Sequence, residues 1–290
     1  MGWQKHCRNP ILALRPGCFD SQHIHAPAVV RDGNRYRMWY SGSDRTENEF
    51  HRIGYAESAD GIVWARRAEP ILTPAPAGYY TTPAILREAD GSLRKEDGQF
   101  KMWFTSHNLT CDLYLATSGN GLDWHLDERS PLALKAYAPT VLYEDGLYKM
   151  WFTMTEPTGM MAIGAATSRN GIDWEPSPAN PVLRSTESWE HTHALYPFVL
   201  KRGRMFEMYY TTYGKICELA VATSRDGIHW QKNGGPILSP GPASAYDSLY
   251  CSRACVVIEP DGCDKLYYAS RVDMVHKYFA IALATRLPSR

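Results

Sequence analysis

The sequence predicts an all-β fold, a single five-bladed β-propeller over residues 1–290, on three observations. One phrase, a Met-aromatic-aromatic strand followed by a small-residue strand and Ser-x-Asp/Asn-Gly-x-x-Trp, is written four times and half-written a fifth. Its period is near fifty residues, and the piece missing from the last copy stands at the N-terminus. A period of that size built from short strands is the mark of a radial β-repeat.

The copies run from Met38-Trp39-Tyr40 to Trp64, from Met102-Trp103-Phe104 to Trp124, from Met150-Trp151-Phe152 to Trp174, and from Met208-Tyr209-Tyr210 to Trp230. The steps between these closing tryptophans are 60, 50 and 56 residues. Leu266-Tyr267-Tyr268 opens a fifth copy that stops after Ala284-Thr285-Arg286.

Within the third copy, Ala138 to Tyr143 is a short β-branched and apolar run suited to a buried inner strand, and Glu144-Asp145-Gly146 supplies the turn after it. Leu147 to Thr153 alternates and is rich in aromatics, as a strand packed between two sheets should be. Ile163 to Ser168 is a third strand whose small residues allow close approach of a neighbouring sheet. Asn170-Gly171 reads as a two-residue type I′ hairpin turn, which needs positive φ at both central positions. Trp174 then opens the outer strand. The largest insertion, Glu88 to Gly98, is polar and expected at the surface.

The last copy lacks its outer strand, and Trp3-x6-Pro10-Ile11-Leu12 matches Trp64-x5-Pro70-Ile71-Leu72 and Trp230-x5-Pro236-Ile237-Leu238. The first dozen residues are therefore expected to complete the last blade and close the ring, leaving no open sheet edge. Ser-x-Asp/Asn-Gly-x-x-Trp resembles the Asp-box of sialidases but is one residue shorter, and its place on an outer hairpin makes it a structural device.

Composition bounds the function. Formal net charge is zero, which argues against binding nucleic acid through phosphate contacts. No run of about eighteen apolar residues is present to span a bilayer. The N-terminus lacks the apolar stretch of a secretory signal, and seven cysteines without repeated spacing read as free thiols in a reducing cytoplasm. The expected partner is a small-molecule sugar or sugar conjugate, with no nucleic acid and no membrane.

In a radial β-repeat the innermost strands line a central funnel, and ligands sit where those strands begin. Aligned on these strands, the five copies place Ala26, Thr82, Ala138, Tyr196 and Arg253 at equivalent positions. Two His-x-His pairs, His23/His25 and His191/His193, head the first and fourth inner strands, and His107 follows the second strand of the second copy. Alternation points both members of such a pair to one face. The pairs are suited to a general base and polar sugar contacts, and as a lesser expectation to a divalent metal on His23, His25, His191 and His193. Arg253 and Arg271, with Tyr80, Tyr137 and Tyr196, would complete a polar, aromatic-edged cup that favours a carboxylate- or phosphate-bearing ligand. Asp20, Glu190 and Asp247 recur six or seven residues ahead of their inner strands, where turn-holding and catalysis are both open to them.

The blade organisation and the phrase Ile-Gly-x-Ala-x-Ser-x-Asp-Gly-Ile-x-Trp resemble the five-bladed glycosidase-like superfamily, which includes the arabinanase/xylosidase, invertase/levansucrase and mannoside-phosphorylase families. The resemblance covers nearly the whole chain. It implies carboxylates on the inner strands, commonly an Asp directly before the first blade's Pro, because protonating a leaving oxygen and attacking or activating water are separate tasks. Here the five equivalent positions hold no acid. The leading expectation is a carbohydrate-active enzyme working by acid/base chemistry, with Glu190, Asp20, His25 and His193 as proton-transfer candidates. The substrate-binding candidates are His23, Tyr80, His107, Tyr137, His191, Tyr196, Arg253 and Arg271. The alternatives are a glycan- or metabolite-binding propeller without turnover, and a different, metal-assisted enzyme using the His pairs.

Overall fold

A computed structural model of the chain describes residues 2–45, 50–74, 78–106, 111–272 and 280–287. Its architecture is all-β, with one short 3-10 turn at Ser188–Glu190 and no α-helix among the described residues. None of their helices is long and apolar enough to cross a membrane.

The strands fall into five repeated groups, the fourth and fifth joined into one sheet by the Cys217–Tyr250 pairing, with the short strand Arg87–Glu88 added parallel to the edge of the third. In the first, His23–Asp32, Arg35–Ser43, Arg52–Ser58 and Ala65–Arg66 pair antiparallel in chain order. The second uses Thr81–Ile85, Phe100–Ser106, Asp112–Ser118 and His125–Leu126, and the third Tyr137–Glu144, Leu147–Thr155, Met161–Ser168 and Glu175–Pro176. The fourth uses His193–Arg202, Met205–Tyr213, Cys217–Ser224 and Gln231–Leu238. The fifth has Tyr250–Val257, Asp264–Arg271 and Ala280–Arg286. Its outer partner comes from the other end of the chain: Gln4 and Lys5 pair with Thr285 and Ala284, and Leu12 and Ala13 with Ile281 and Ala280.

The N-terminal segment copies the outer strand of other groups in detail. The Asn9 side-chain amide donates to the Leu283 carbonyl and accepts from the Leu283 N–H, at 2.7 and 2.8 Å. Asn180 does the same to Ala165 at 2.9 and 2.7 Å. In both places an asparagine before a proline stands in for a backbone rung, which is why the two Asn-Pro sequences sit at matching points of the repeat.

The five first strands contact one another in cyclic order, the fifth touching the first. Adjacent groups are stapled by the repeated phrase itself. Each motif serine accepts from the glycine N–H three residues on, as Ser58 does from Gly61 at 2.8 Å, and the Asp or Asn between them accepts from the next two N–H groups. This frees the glycine carbonyl to face the neighbouring group. Trp39 Nε1 donates to Gly121, Trp103 to Gly171, Trp151 to Gly227, and the Tyr267 hydroxyl to Gly61, at 2.7–3.0 Å. The last of these links group five to group one. Trp39, Trp103 and Tyr267 are fully buried, so each donor would be orphaned without its carbonyl.

One local expectation is corrected. Asn170 has no positive φ, so Asn170-Gly171 is not a type I′ turn; its side-chain oxygen holds the turn by accepting from the N–H groups of Ile172 and Asp173. Two consecutive positive φ values occur instead at Asp145 (53°) and Gly146 (78°), between the first and second strands of that group. The small third-strand residue Gly54 makes room for side chains of its own group. A Cβ on Gly54 would fall 2.5 Å from both Phe19 and Tyr40.

Candidate functional site

Each first strand carries an irregularity at one equivalent place. The register shifts fall between His25 and Ala28, Thr81 and Ala84, Tyr137 and Thr140, Leu195 and Phe198, and Ser252 and Cys255. Within these bulges Ala26, Thr82, Ala138, Tyr196 and Arg253 all have φ between 50° and 55°. Five non-glycine residues in the left-handed region is a costly arrangement, and such strain persists only where the surroundings enforce it.

The enforcing contacts are hydroxyls from the second strand of the preceding group. The N–H of Thr82 donates to Ser41 Oγ, of Ala138 to Thr105 Oγ1, of Tyr196 to Thr153 Oγ1 and of Arg253 to Thr211 Oγ1, at 2.9–3.2 Å. Before Ala26 the matching residue is Ala269, which has no hydroxyl. All five bulge residues line one central cavity of about 420 Å³, open mouth included, with Pro27, Pro83, Pro139, Pro197 and Ala254 directly beside them. No carboxylate lines it among the described residues.

Among the described residues Arg253 is the one charged side chain at this level. It is 7% exposed, its guanidinium carbon lies 3.8 Å from the Tyr196 ring centroid and 5.9 Å from that of Tyr137, and its Nη2 donates to the Tyr137 hydroxyl at 3.2 Å. A guanidinium over an aromatic face is attracted by the ring's quadrupole, which helps to fix its position. Tyr137 and Tyr196 themselves meet edge to face at 5.7 Å. Three predicted residues from three different groups are thus brought together.

His23 and His25 are also brought together, as alternation predicts, but with a partner that sequence reasoning missed. His51, just before the third strand of group one, lies 5.2 Å from His23 and 5.0 Å from His25 between ring centroids, and stacks on Tyr79 at 5.6 Å. All three imidazoles are buried. Burial, then the positive charge of Arg253, then His51 and His23 push the His25 pKa well below its ordinary value, so its ring is neutral at neutral pH. The available signal for His51 was its position opposite the start of the His-bearing strand once the antiparallel pairing is drawn.

The other candidates lie elsewhere. His193 accepts the Met161 N–H on Nδ1 at 3.1 Å and packs beside Tyr213, and burial lowers its pKa. His191 lies 3.8 Å from Glu218 with its side chain one-third exposed. Neither lines the cavity. Tyr80 is packed in the core against Phe104 and Tyr114, at 4.7 and 5.6 Å. Arg271 is buried with its guanidinium 4.1 Å from the Tyr250 ring. His107 lies outside the described residues. Among those that are described, no group of three or more His, Cys, Asp or Glu is arranged to hold a metal.

Asp20 and Glu190 are fully buried away from the cavity lining. Asp20 accepts from the Tyr40 hydroxyl at 2.9 Å, Arg66 at 3.1 Å and Arg15 at 3.2 Å. Glu190 accepts from the Tyr210 hydroxyl at 2.7 Å, Lys232 at 2.5 Å and the N–H groups of Thr186 and Glu187 at 2.8 and 3.0 Å. Burial alone would raise the Glu190 pKa, but the Lys232, Tyr210 and backbone hydrogen bonds outweigh it and hold the pKa below the usual carboxylate range. A proton donor needs the opposite shift. Glu190 is thus held as a carboxylate, and neither acid lines the cavity.

No family model matches the chain. Two proteins of Mycobacterium tuberculosis, the uncharacterized proteins MT1551 and Rv1502, are each 30% identical over 121 residues, covering 40% of this chain. The match spans 37% of the length of those curated relatives. Solved structures align over far more. A structure from the GH130 family of mannoside phosphorylases, described as containing glycoside hydrolases that target beta-1,2 mannosidic linkages in Candida mannan, aligns with a TM-score of 0.79 at 17% identity over 100% of this chain and 94% of that one. A glycosyl hydrolase from Bacteroides ovatus gives the same TM-score, identity and coverage. An N-acetylgalactosamine deacetylase from F. plautii, in complex with blood group B trisaccharide, gives 0.74 at 18% over 98% and 94%. At such identities the likeness carries the fold and not the activity: the chain shares the propeller-like fold of these solved glycosidase-like structures.

Proposed function

We propose that the chain is a carbohydrate-active enzyme built on a five-bladed β-propeller whose ring the N-terminal strand closes, taking a sugar or sugar conjugate at the mouth of the central cavity. The convergence of five bulged first-strand residues on one cavity lined by Tyr196 and Arg253, with Tyr137 packed against both, carries this reading. Flat aromatic edges suit the apolar faces of a sugar ring, and a fixed guanidinium suits an anionic substituent or a developing oxyanion. Five strand groups in cyclic contact, with the Tyr267–Gly61 bond between last and first, support the closed ring.

The proton-transfer group in this reading is His25, which is not itself in the cavity lining but directly precedes the lining residue Ala26 and feels the charge of Arg253. Cleavage by a pair of carboxylates needs two acids facing one ligand, and the described lining supplies none. A neutral imidazole beside a guanidinium provides a base and a charge stabiliser in one place. Asp20 and Glu190 act in this reading as pins of the fold.

The test is a panel of nitrophenyl glycosides and O- and N-acetylated sugars, each with and without a phosphate or uronate group, against the unaltered chain and His25→Asn. Turnover that falls at least 100-fold in His25→Asn with an unchanged melting point supports the assignment; equal turnover removes it. The lack of a carboxylate in the described lining also favours a second reading, a glycan binder without turnover. Saturable binding by calorimetry, lost in Arg253→Met and accompanied by no product, would select it.

A further inference from the structure

A second arginine lines the same cavity at a different level. Arg87 follows Ile85-Leu86 at the end of the second group's first strand, where Arg87–Glu88 pairs with Leu142 and Tyr143 of the third group, and it is 2% exposed. Its Nη2 reaches the carbonyl of Val29, three residues beyond Ala26 along the first strand of group one. At roughly 3.3 Å per residue, that level lies about 10 Å past the ring of bulges that holds Arg253.

The surroundings of Arg87 do not match its charge. Nη1 donates to the Ile85 carbonyl at 3.4 Å, and Nη2 to the Val29 carbonyl and Cys255 Sγ, both at 3.5 Å. These are at the long limit for a hydrogen bond. Nε has no partner among the described residues, and the partners of the guanidinium are all neutral. The Phe198 ring, 4.9 Å away, covers one face. A buried guanidinium with three weak neutral acceptors retains most of its desolvation cost. Burial accordingly lowers its pKa.

A second polar atom in the lining is also unsatisfied. Thr140, two residues past the bulge at Ala138, is 2% exposed and its hydroxyl has no partner. Ala28, Ala84 and Phe198 occupy the same position in their strands, so Thr140 places the one hydroxyl in an otherwise apolar set that ends with Cys255.

We infer that the inner end of the cavity is a binding site for a small monovalent anion, held by Arg87 with the Thr140 hydroxyl as a further donor. One guanidinium balances one negative charge. A doubly charged oxyanion would leave a charge buried among Val29, Ile85 and Phe198, at the cost that makes unpaired buried ions rare. The inference stands apart from the sugar reading, since the two arginines occupy separate levels.

Chloride and bromide are the probes, used on the full chain. Melting is followed at constant ionic strength while chloride replaces gluconate. The unaltered chain should gain about 5 °C, saturably. Arg87→Gln should show no such gain and Thr140→Val a weaker one. Diffraction from crystals grown in bromide should place an anomalous peak within hydrogen-bond distance of Arg87. If Arg87→Gln fails to fold, that peak in the unaltered chain decides. An equal chloride response in Arg87→Gln, a bromide map with only water beside Arg87, or a gain from phosphate and none from chloride each overturns the site as stated.

Discussion

The Tyr210 hydroxyl lies 2.7 Å from a carboxylate oxygen of Glu190, and the same relationship recurs at Tyr40 with Asp20 and Tyr268 with Asp247, at 2.9 and 3.0 Å. Each acid also meets a cation from an outer segment: Lys232, Arg66 and Lys5. Groups two and three carry Phe104 and Phe152 where these tyrosines stand. An acid that recurs only with its tyrosine fits the proposed role of a pin between a loop and the second strand. Glu190→Gln should therefore lower stability by about 3 kcal/mol, because it leaves Lys232 without its buried counter-charge, while kcat on any substrate found stays within about twofold. Since the Glu190 pKa is depressed in the fold, its contribution is complete above the ordinary carboxylate pKa and is lost as pH falls through the lower folded value. Urea denaturation from pH 7 down to pH 3 measures it, and Glu190→Gln should flatten that slope. Unchanged stability with lost turnover would restore Glu190 as a catalyst.

His25 gives a pH dependence at higher values. Its folded pKa lies well below the unfolded 6.5, chiefly through burial and then Arg253. Between those two values the unfolded chain binds a proton that the folded one does not. Stability is thus full above pH 6.5 and falls as pH drops toward the folded pKa. Replacing His25 with Phe should remove that part of the decline between pH 6.5 and 5. Melting curves across this window decide, and parallel profiles for the two proteins would show that His25 is not the group responsible.

The bulges offer a third test. Thr153 Oγ1 is the acceptor for the N–H of Tyr196, whose φ of 54° places its ring against Arg253. Thr153→Val keeps the shape and removes the acceptor, so it should cost about 1–3 kcal/mol for the orphaned N–H. It should also weaken ligand binding at the mouth, while Thr153→Ser should restore both. Binding unaffected by a measurable loss of stability would separate the bulge from recognition.

Much of the fold was legible because the repeat displays its own physics. Trp39, Trp103 and Trp151 recur because each must donate to a neighbour's motif glycine, and Asn9-Pro10 matches Asn180-Pro181 because both amides replace a rung. Aligning the first strands on their prolines also identified the five cavity residues, since the bulge sits directly before them. What stayed hidden depends on side-chain direction. Nothing in Trp-Glu-His tells whether Glu190 turns inward to the cavity or back toward Tyr210. His51 and Arg87 stand outside the aligned positions, and only pairing with another strand brings them to His25 and Val29. The turn at Asn170-Gly171 misled because the dipeptide serves equally for a type I′ hairpin and for a loop held by the asparagine side chain.

The outer strand from the N-terminus yields the last prediction. Lys5 Nζ lies 2.6 Å from Asp247, which is 1% exposed, while Trp3 packs edge-on against Tyr209 at 6.1 Å and Asn9 bonds both polar groups of Leu283. Removing residues 2–12 strips the pairing from Ala280–Arg286 and leaves Asp247 buried without its cation. That last loss alone is worth about 3–5 kcal/mol. At 2–4 °C per kcal/mol for a chain of this order, the melting point should fall by about 10 °C or more, and an exposed sheet edge should promote aggregation. Lys5→Met isolates the charge: it should reproduce a large part of the drop without exposing the edge. A truncated chain that melts with the intact one would mean that the pairing with Thr285 and Ile281 contributes nothing to stability, and the proposed closure of the ring would fail with it.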